Sequence, residues 1–189
     1  SCATVGPEMI PENRMRAATD LLSQYALYHR DRRNIASHFV GVPMIVFAVG
    51  VLLAKPAFAL AGLALSPAWV VFALAAAWYL TRGNLSLGVA TTAAVGALIA
   101  LAHHVGNSGT GAWLAWGIGF FVVGWIIQFI GHWYEGRKPA FVDDIVGLLV
   151  GPMFVTAEAL FSLGWGKPLL HEIERRVGPT MMRDLARIA

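Results

Sequence analysis

Three histidines, His29, His38 and His132, carry the chemistry this sequence is equipped to do. Neutral imidazole is a ligand for Fe(II), Zn(II) or Mn(II), and open positions on a His/carboxylate Fe(II) site are how many oxygenases take up O₂. His29 and His38 stand nine residues apart, which at about 100° per residue places them on opposite sides of a continuous helix. One ion can hold both only if the chain turns between them. Arg30-Asp31-Arg32-Arg33-Asn34 supplies such a turn, and Asn34 suits the N-cap of a helix carrying His38. Gln128, His132 and Glu135 are spaced by four and then three residues, one stripe if the helix runs on past Gly131. On that stripe Glu135 is placed either to bind the ion or to orient the imidazole.

What must position these side chains is a membrane. Of 189 residues, 57% are apolar and only 13% charged, against roughly 45–50% and 25% for a soluble domain. The formal charge of +3 comes from 14 Lys and Arg confined to short stretches between long uncharged runs, a segregation that a bilayer explains and nucleic acid does not. Crossing the hydrocarbon core takes about 20 apolar residues. Residues 39–54, 68–80, 85–102 and 112–130 are read as four spans, with 57–65 as a connecting or interfacial piece. Residues 141–165 are apolar but hold Asp143, Asp144, Glu158 and a central Gly151-Pro152, and are read as a re-entrant or interfacial hairpin broken at that pair. Residues 167–189 follow as a charged helix containing His171.

Charge decides the orientation, because short loops rich in Lys and Arg stay cytoplasmic. With four alternating spans, Arg14, Arg16, Arg30, Arg32, Arg33, Arg82, Arg137 and Lys138 share one side and Lys55 stands alone on the other. A hairpin at 141–165 adds Lys167, Arg175, Arg176, Arg183 and Arg187 to the majority, whereas a full fifth span would weaken the asymmetry. Both termini are therefore expected in the cytoplasm. His29, His38 and His132 then reach the same cytoplasmic face, and one domain, residues 14–166, carries the site there. His103 and His104 end on the opposite face, where bonds to headgroups or backbone account for them. Glu158, in an apolar run, is either protonated and hydrogen bonded or reaches the site through the hairpin. Trp113, Trp116, Trp133 and Trp165 fall near span ends, as an aromatic belt requires. Residues 1–13 read as a disordered or expression-derived tail rather than a signal peptide, and Cys2, the single cysteine, has no disulfide partner.

Two groups of residues look familiar: Tyr28-His29 with Asn34, His38, Gly41 and Pro43, and Gln128 to His132 with Glu135, Pro139-Ala140, Asp143, Pro152 and Glu158. Together, over approximately residues 25–165, they resemble the small multi-pass membrane family that includes the fungal endoplasmic-reticulum 2-hydroxy fatty acid dioxygenase. The resemblance implies Fe(II)-dependent α-oxidation, in which a 2-hydroxy fatty acid and O₂ yield a fatty acid one carbon shorter. It implies His29, His38 and His132 as family histidines, with Glu135 and Glu158 as candidate catalytic groups. The 2-hydroxy and carboxylate oxygens would chelate the metal while the acyl chain lies in the bundle. Asn34, Gln128, Arg137 and Lys138 are the candidate substrate contacts.

The compact stretch Trp133 to Lys138 looks bacterial, so an inner membrane is expected, or the endoplasmic reticulum in a eukaryote. A homo-oligomer is compatible with the sequence. A small transporter or lipid-binding scaffold is the competing class, disfavoured because the first four spans hold almost no polar residues near their middles. A diiron hydroxylase is disfavoured by the absence of HxxxH and HxxHH clusters.

Overall fold

The computed structural model describes residues 16–55, 57–60 and 63–185. The expected tail at 1–13, with Cys2, lies outside the described residues, as do 186–189 at the end of the charged C-terminal segment. The chain is all-α apart from one short ladder. In order come α1 (Ala18–Ala26), α2 (Arg32–Leu52), β1 (Phe58–Leu60), β2 (Leu63–Leu65), α3 (Pro67–Leu80), α4 (Leu85–Gly106), α5 (Thr110–Glu135), a single 3₁₀ turn (Ala140–Val142), α6 (Gly147–Ser162) and α7 (Lys167–Val177). β1 and β2 pair antiparallel, Phe58 opposite Leu65, so the connecting piece expected at 57–65 is a small hairpin.

Helices α2 and α5 lie against each other along most of their length, and glycines permit it. A Cβ on Gly41 would meet Gln128 and the Gly124 carbonyl at 3.0 Å, and one on Gly124 would meet Ile45 at 2.8 Å. Small residues that let helix backbones approach are the usual packing device in a bilayer, where lipid tails are as apolar as leucine. Helix α4 packs on α2 and α3, while α6 fills the remaining side between α1, α2 and α4. At their junction Leu22, Tyr25, Met153 and Phe154 are buried. The outer faces of α3, α4 and α5 instead expose Leu74, Val89, Leu101, Ile118, Val122 and Ile126, a coat that only lipid would cover at no cost.

Among the described residues three helices, α2, α4 and α5, are long and apolar enough to cross a membrane. The second expected span, at 68–80, is α3, whose 14 residues reach only about 21 Å at 1.5 Å per residue. Helices α6 and α7 meet the same test only as a pair, bent by 117°. The expected break at Gly151-Pro152 is not there. Helix α6 runs through Pro152, whose missing N–H costs one intrahelical bond but does not end a helix packed on three others. The break comes later, at Gly164 (φ 83°) and Gly166 (φ 72°), where the chain takes a left-handed conformation that glycine adopts without penalty. In the C-terminal segment α7 ends at Val177. Beyond Gly178 it extends back over the end of the bundle, where Met181 pairs with Asp31.

Candidate metal centre

The turn that one ion requires between His29 and His38 is present. Helix α1 ends at Ala26, His29 follows in the connector, and α2 begins at Arg32. The helix start departs from expectation: Asp31 is the N-cap, its Oδ1 accepting the Arg33 N–H at 2.8 Å, and Asn34 lies inside α2. Asp31 wins that role because its carboxylate also takes Arg33 Nη2 at 2.7 Å and the Arg183 N–H at 2.8 Å. Asn34 is left to donate from Nδ2 to the Tyr28 carbonyl at 3.0 Å and to Glu135 at 3.1 Å. It lines neither cleft at the site.

His29, His38 and His132 converge, each able to offer a nitrogen within 4.8 Å of the others. These residues are 0, 2 and 5% exposed, so bulk water hardly reaches them. Ring centroids are 4.3 Å apart for His29 and His38, 4.9 Å for His29 and His132, and 5.1 Å for His38 and His132. The hydrogen bonds fix the tautomers. His29 Nδ1–H donates to the Tyr25 carbonyl at 2.7 Å, and His38 Nδ1–H to the Asn34 carbonyl at 2.8 Å. A carbonyl only accepts, so in each neutral ring the proton sits on Nδ1 and Nε2 presents a lone pair. Those two Nε2 atoms face each other at 2.9 Å.

Two acceptors at that distance repel unless a cation lies between them. The separation fits two ligands each about 2.0–2.1 Å from a shared ion. His132 Nδ1 is buried with no hydrogen-bond partner among the described residues, a third donor atom awaiting an acceptor of electrons. Second-shell carbonyls on the far ring nitrogens are the common way metal-binding imidazoles are oriented. The residues therefore fit a metal ion. Burial, with the neighbouring His38 and His132 rings, holds the His29 imidazole well below its ordinary pKa, in the neutral form a metal requires.

The remaining candidates separate into four places. Glu135 ends α5 outside the histidine group and turns its carboxylate onto the α1–α2 connector, accepting from the backbone of Arg30 and Asp31. Glu158, half-buried on α6, is within electrostatic range of Arg30 and also outside the histidine group. Gln128, one turn before His132, is buried with Oε1 unpartnered among the described residues. It lines, with His38, His132, Trp125 and Pro152, a mainly apolar cavity of about 70 Å³. Arg137 and Lys138 are exposed, Lys138 pairs with Asp143 at 2.5 Å, and both line an open cleft of about 530 Å³ that also touches His132. His103 lies near Trp69 in the other half of the bundle, and His171 is exposed on α7.

Sequence reading missed three contributors. Tyr25 gives its carbonyl to His29 and stacks its ring on that imidazole at 4.1 Å, 4° from parallel. The signal was available: Tyr25–His29 and Asn34–His38 share a spacing of four, which aligns an imidazole with a preceding carbonyl. Phe154 packs on His29 at 5.3 Å, and Arg183 reaches the site from far along the chain; no local pattern marks either.

Comparison with known proteins identifies a family. The family described as 2-hydroxy-palmitic acid dioxygenase Mpo1-like matches residues 15–163. The 2-hydroxy-palmitic acid dioxygenase MPO1 of Saccharomyces cerevisiae is 33% identical over 152 residues, covering 77% of this chain and 83% of the yeast protein. No solved structure matches the chain significantly. A family match that spans residues 15–163, with 33% identity across most of both chains, places this chain in the Mpo1-like 2-hydroxy-palmitic acid dioxygenase family.

Proposed function

We propose that the protein is an Fe(II)-dependent dioxygenase of 2-hydroxy fatty acids, embedded in a membrane with His29, His38 and His132 as metal ligands at its cytoplasmic face. The observation that carries the reading is the pair of Nε2 atoms of His29 and His38 facing each other at 2.9 Å, with a ring nitrogen of buried His132 within 4.8 Å. The family match supports the substrate class. Iron, when bound, supplies redox chemistry toward O₂ and a Lewis-acidic anchor for an α-hydroxy acid. The reaction balances as a 2-hydroxy acid plus O₂ giving the acid one carbon shorter, CO₂ and water. The bond broken joins C1 to C2, and O₂ takes four electrons.

The chain's own contribution is positioning. Tyr25 and Asn34 carbonyls hold two imidazoles in their metal-binding tautomer. Glu135 fixes the connector that bears His29, and Phe154 and Tyr25 keep water from the His29 ring. Gln128 Oε1 is an acceptor for the substrate hydroxyl at the end of the apolar cavity. The excess of Arg and Lys at this end supports a cytoplasmic orientation.

The deciding experiment incubates purified protein with Fe(II), O₂ and 2-hydroxypalmitic acid and follows products by mass spectrometry. Pentadecanoic acid is expected. Protein that holds stoichiometric iron yet leaves the substrate intact would remove the assignment.

A further inference from the structure

The two clefts at the histidine site adjoin each other. The open cleft and the apolar cavity share His132 and Pro139. The apolar cavity in turn shares Val42, Val46 and Pro152 with a second apolar cavity of about 70 Å³ between α2, α4 and α6. That cavity shares Pro43 and Leu98 with an apolar groove lined by Met44, Phe47, Trp116 and Phe120. From His38 to Phe47 this path follows nine residues of α2, about 13 Å along the helix axis. At its other end, beyond His132, the walls become Arg137, Lys138 and Arg183.

Arg183 is built into that end rather than loosely placed. Its Nη1 donates to the Glu135 carbonyl at 2.9 Å, its backbone N–H to Asp31, and its carbonyl accepts from Arg33 Nη2 at 2.7 Å. Gly136 caps α5 at φ 66°, and a Cβ there would run into the guanidinium, so the glycine makes the space that Arg183 occupies. Three carboxylates around this cleft have partners of their own, Glu135 on the connector, Asp31 on Arg33 and the Arg183 N–H, and Asp143 on Lys138 and Tyr28. The cleft is left with an excess of positive charge beside an apolar path. Arg183 also lies beyond residues 15–163, the part matched by the family.

We infer that a long-chain carboxylic acid binds head to tail across His132, its carboxylate in the basic cleft with Arg183 and Arg137 as anchors and its acyl chain along the apolar path of α2. The inference rests on the proposed function only for the α-hydroxy group of that acid. A guanidinium held in place matches a carboxylate in two parallel bonds, and the chain gains from burial among carbon atoms.

The test uses the full chain in detergent and 9,10-dibromostearic acid, which quenches tryptophan fluorescence when its chain passes Trp125 or Trp116. The corresponding dibromo alcohol serves as the uncharged probe. The acid is expected to bind about tenfold more tightly than the alcohol. Arg183→Gln should remove most of that difference, Arg183→Lys should keep part of it, and alcohol binding should stay unchanged in both. Should Arg183→Gln unfold, Arg137→Gln, at an exposed position, is expected to weaken the acid alone. Equal binding of acid and alcohol, or acid binding indifferent to both arginines, overturns the inference. So does displacement of the acid by phosphatidylglycerol at equal mole fraction, which would make the cleft a phospholipid site. Arginine-dependent acid binding without shortened product from Fe(II) and O₂ would sink the dioxygenase reading alone; shortened product with equal acid and alcohol binding would sink the orientation alone.

Discussion

Both carboxylate oxygens of Glu135 lie 3.0 Å from the backbone nitrogen of Arg30. One of them also takes the Asp31 N–H at 2.8 Å. The last residue of α5 thus grips the connector next to His29, while His132 sits three residues earlier on the same helix. Glu135 ties the connector that bears His29 to the helix that bears His132, while its own carboxylate lies outside the histidine group. Glu135→Gln should therefore lower iron affinity by about 10–100-fold, the usual effect of losing a support behind a metal ligand. It should also reduce stability by about 2–3 kcal/mol, since a charged acceptor of several buried donors is lost. Iron titration and thermal unfolding of one preparation measure both, and unchanged iron affinity would show that the connector holds His29 by itself.

The three imidazoles should be unequal to the other three in the chain. His38→Ala and His132→Ala each remove a donor atom from a buried group and are expected to abolish both iron binding and turnover. His103→Ala, in the other half of the bundle, and His171→Ala, on exposed α7, should leave the iron-to-protein ratio near one. Inductively coupled plasma measurement of iron against protein gives the ratio directly. A value near two in the wild type would point to a dinuclear centre.

Convergence of His29, His38 and His132 was legible because the expected alternation of spans puts the start of α2 and the end of α5 at one end of the bundle, where the structure brings the three rings together. The need for a turn between His29 and His38 followed from helical periodicity alone. What the sequence could not convey depended on competition between side chains. Asn34 is a good N-cap in isolation, yet Asp31 takes the position because Arg33 and Arg183 already hold its carboxylate. Pro152 looks like a break, yet its neighbours cover the helix, and the bend waits for Gly164 and Gly166. Arg183 reaches the site by a long return of the chain, for which no spacing rule exists.

Acid should loosen the metal-free protein in two separable stages. Burial, then the His38 and His132 rings, depress the His29 pKa well below 6.5. The unfolded chain therefore takes up a proton near pH 6.5 that the native state refuses. Stability from this residue is complete above that pH and falls as pH drops toward the native pKa, by about 1.4 kcal/mol per unit. Asp31, held at about 2 chiefly by its bond to Arg33 against an ordinary 3.8, contributes fully above about pH 4 and loses its contribution between about 4 and 2. Thermal midpoints between pH 7 and 5 should fall in the wild type and fall less steeply in His29→Gln. Asp31→Asn should keep the wild-type slope over that range. Parallel slopes for wild type and His29→Gln would contradict the assignment.

Gly131 should be the least replaceable small residue of α5. It faces α2 between Gln128 and His132, and a Cβ there would collide with Ser37 and come within 2.6 Å of Asn34 Oδ1. Neither neighbour is free to yield: Ser37 Oγ donates to the Asn34 carbonyl at 2.7 Å, and that carbonyl also orients His38, while Asn34 Nδ2 is tied to Tyr28 and Glu135. One methyl group would have to push α5 away from α2, or displace the carbonyl that fixes a ligand's tautomer. Gly131→Ala is expected to destabilise by about 1–3 kcal/mol, the cost of overpacking a tight contact, and to lower iron affinity with it. Gly119, on the same helix with nothing within 4 Å of its Cβ position, is the matched control. Gly119→Ala should be neutral or stabilising by up to about 1 kcal/mol through helix propensity. Thermal midpoints that drop equally in the two variants would show a general intolerance of α5 to alanine and remove the argument from close approach at the metal centre.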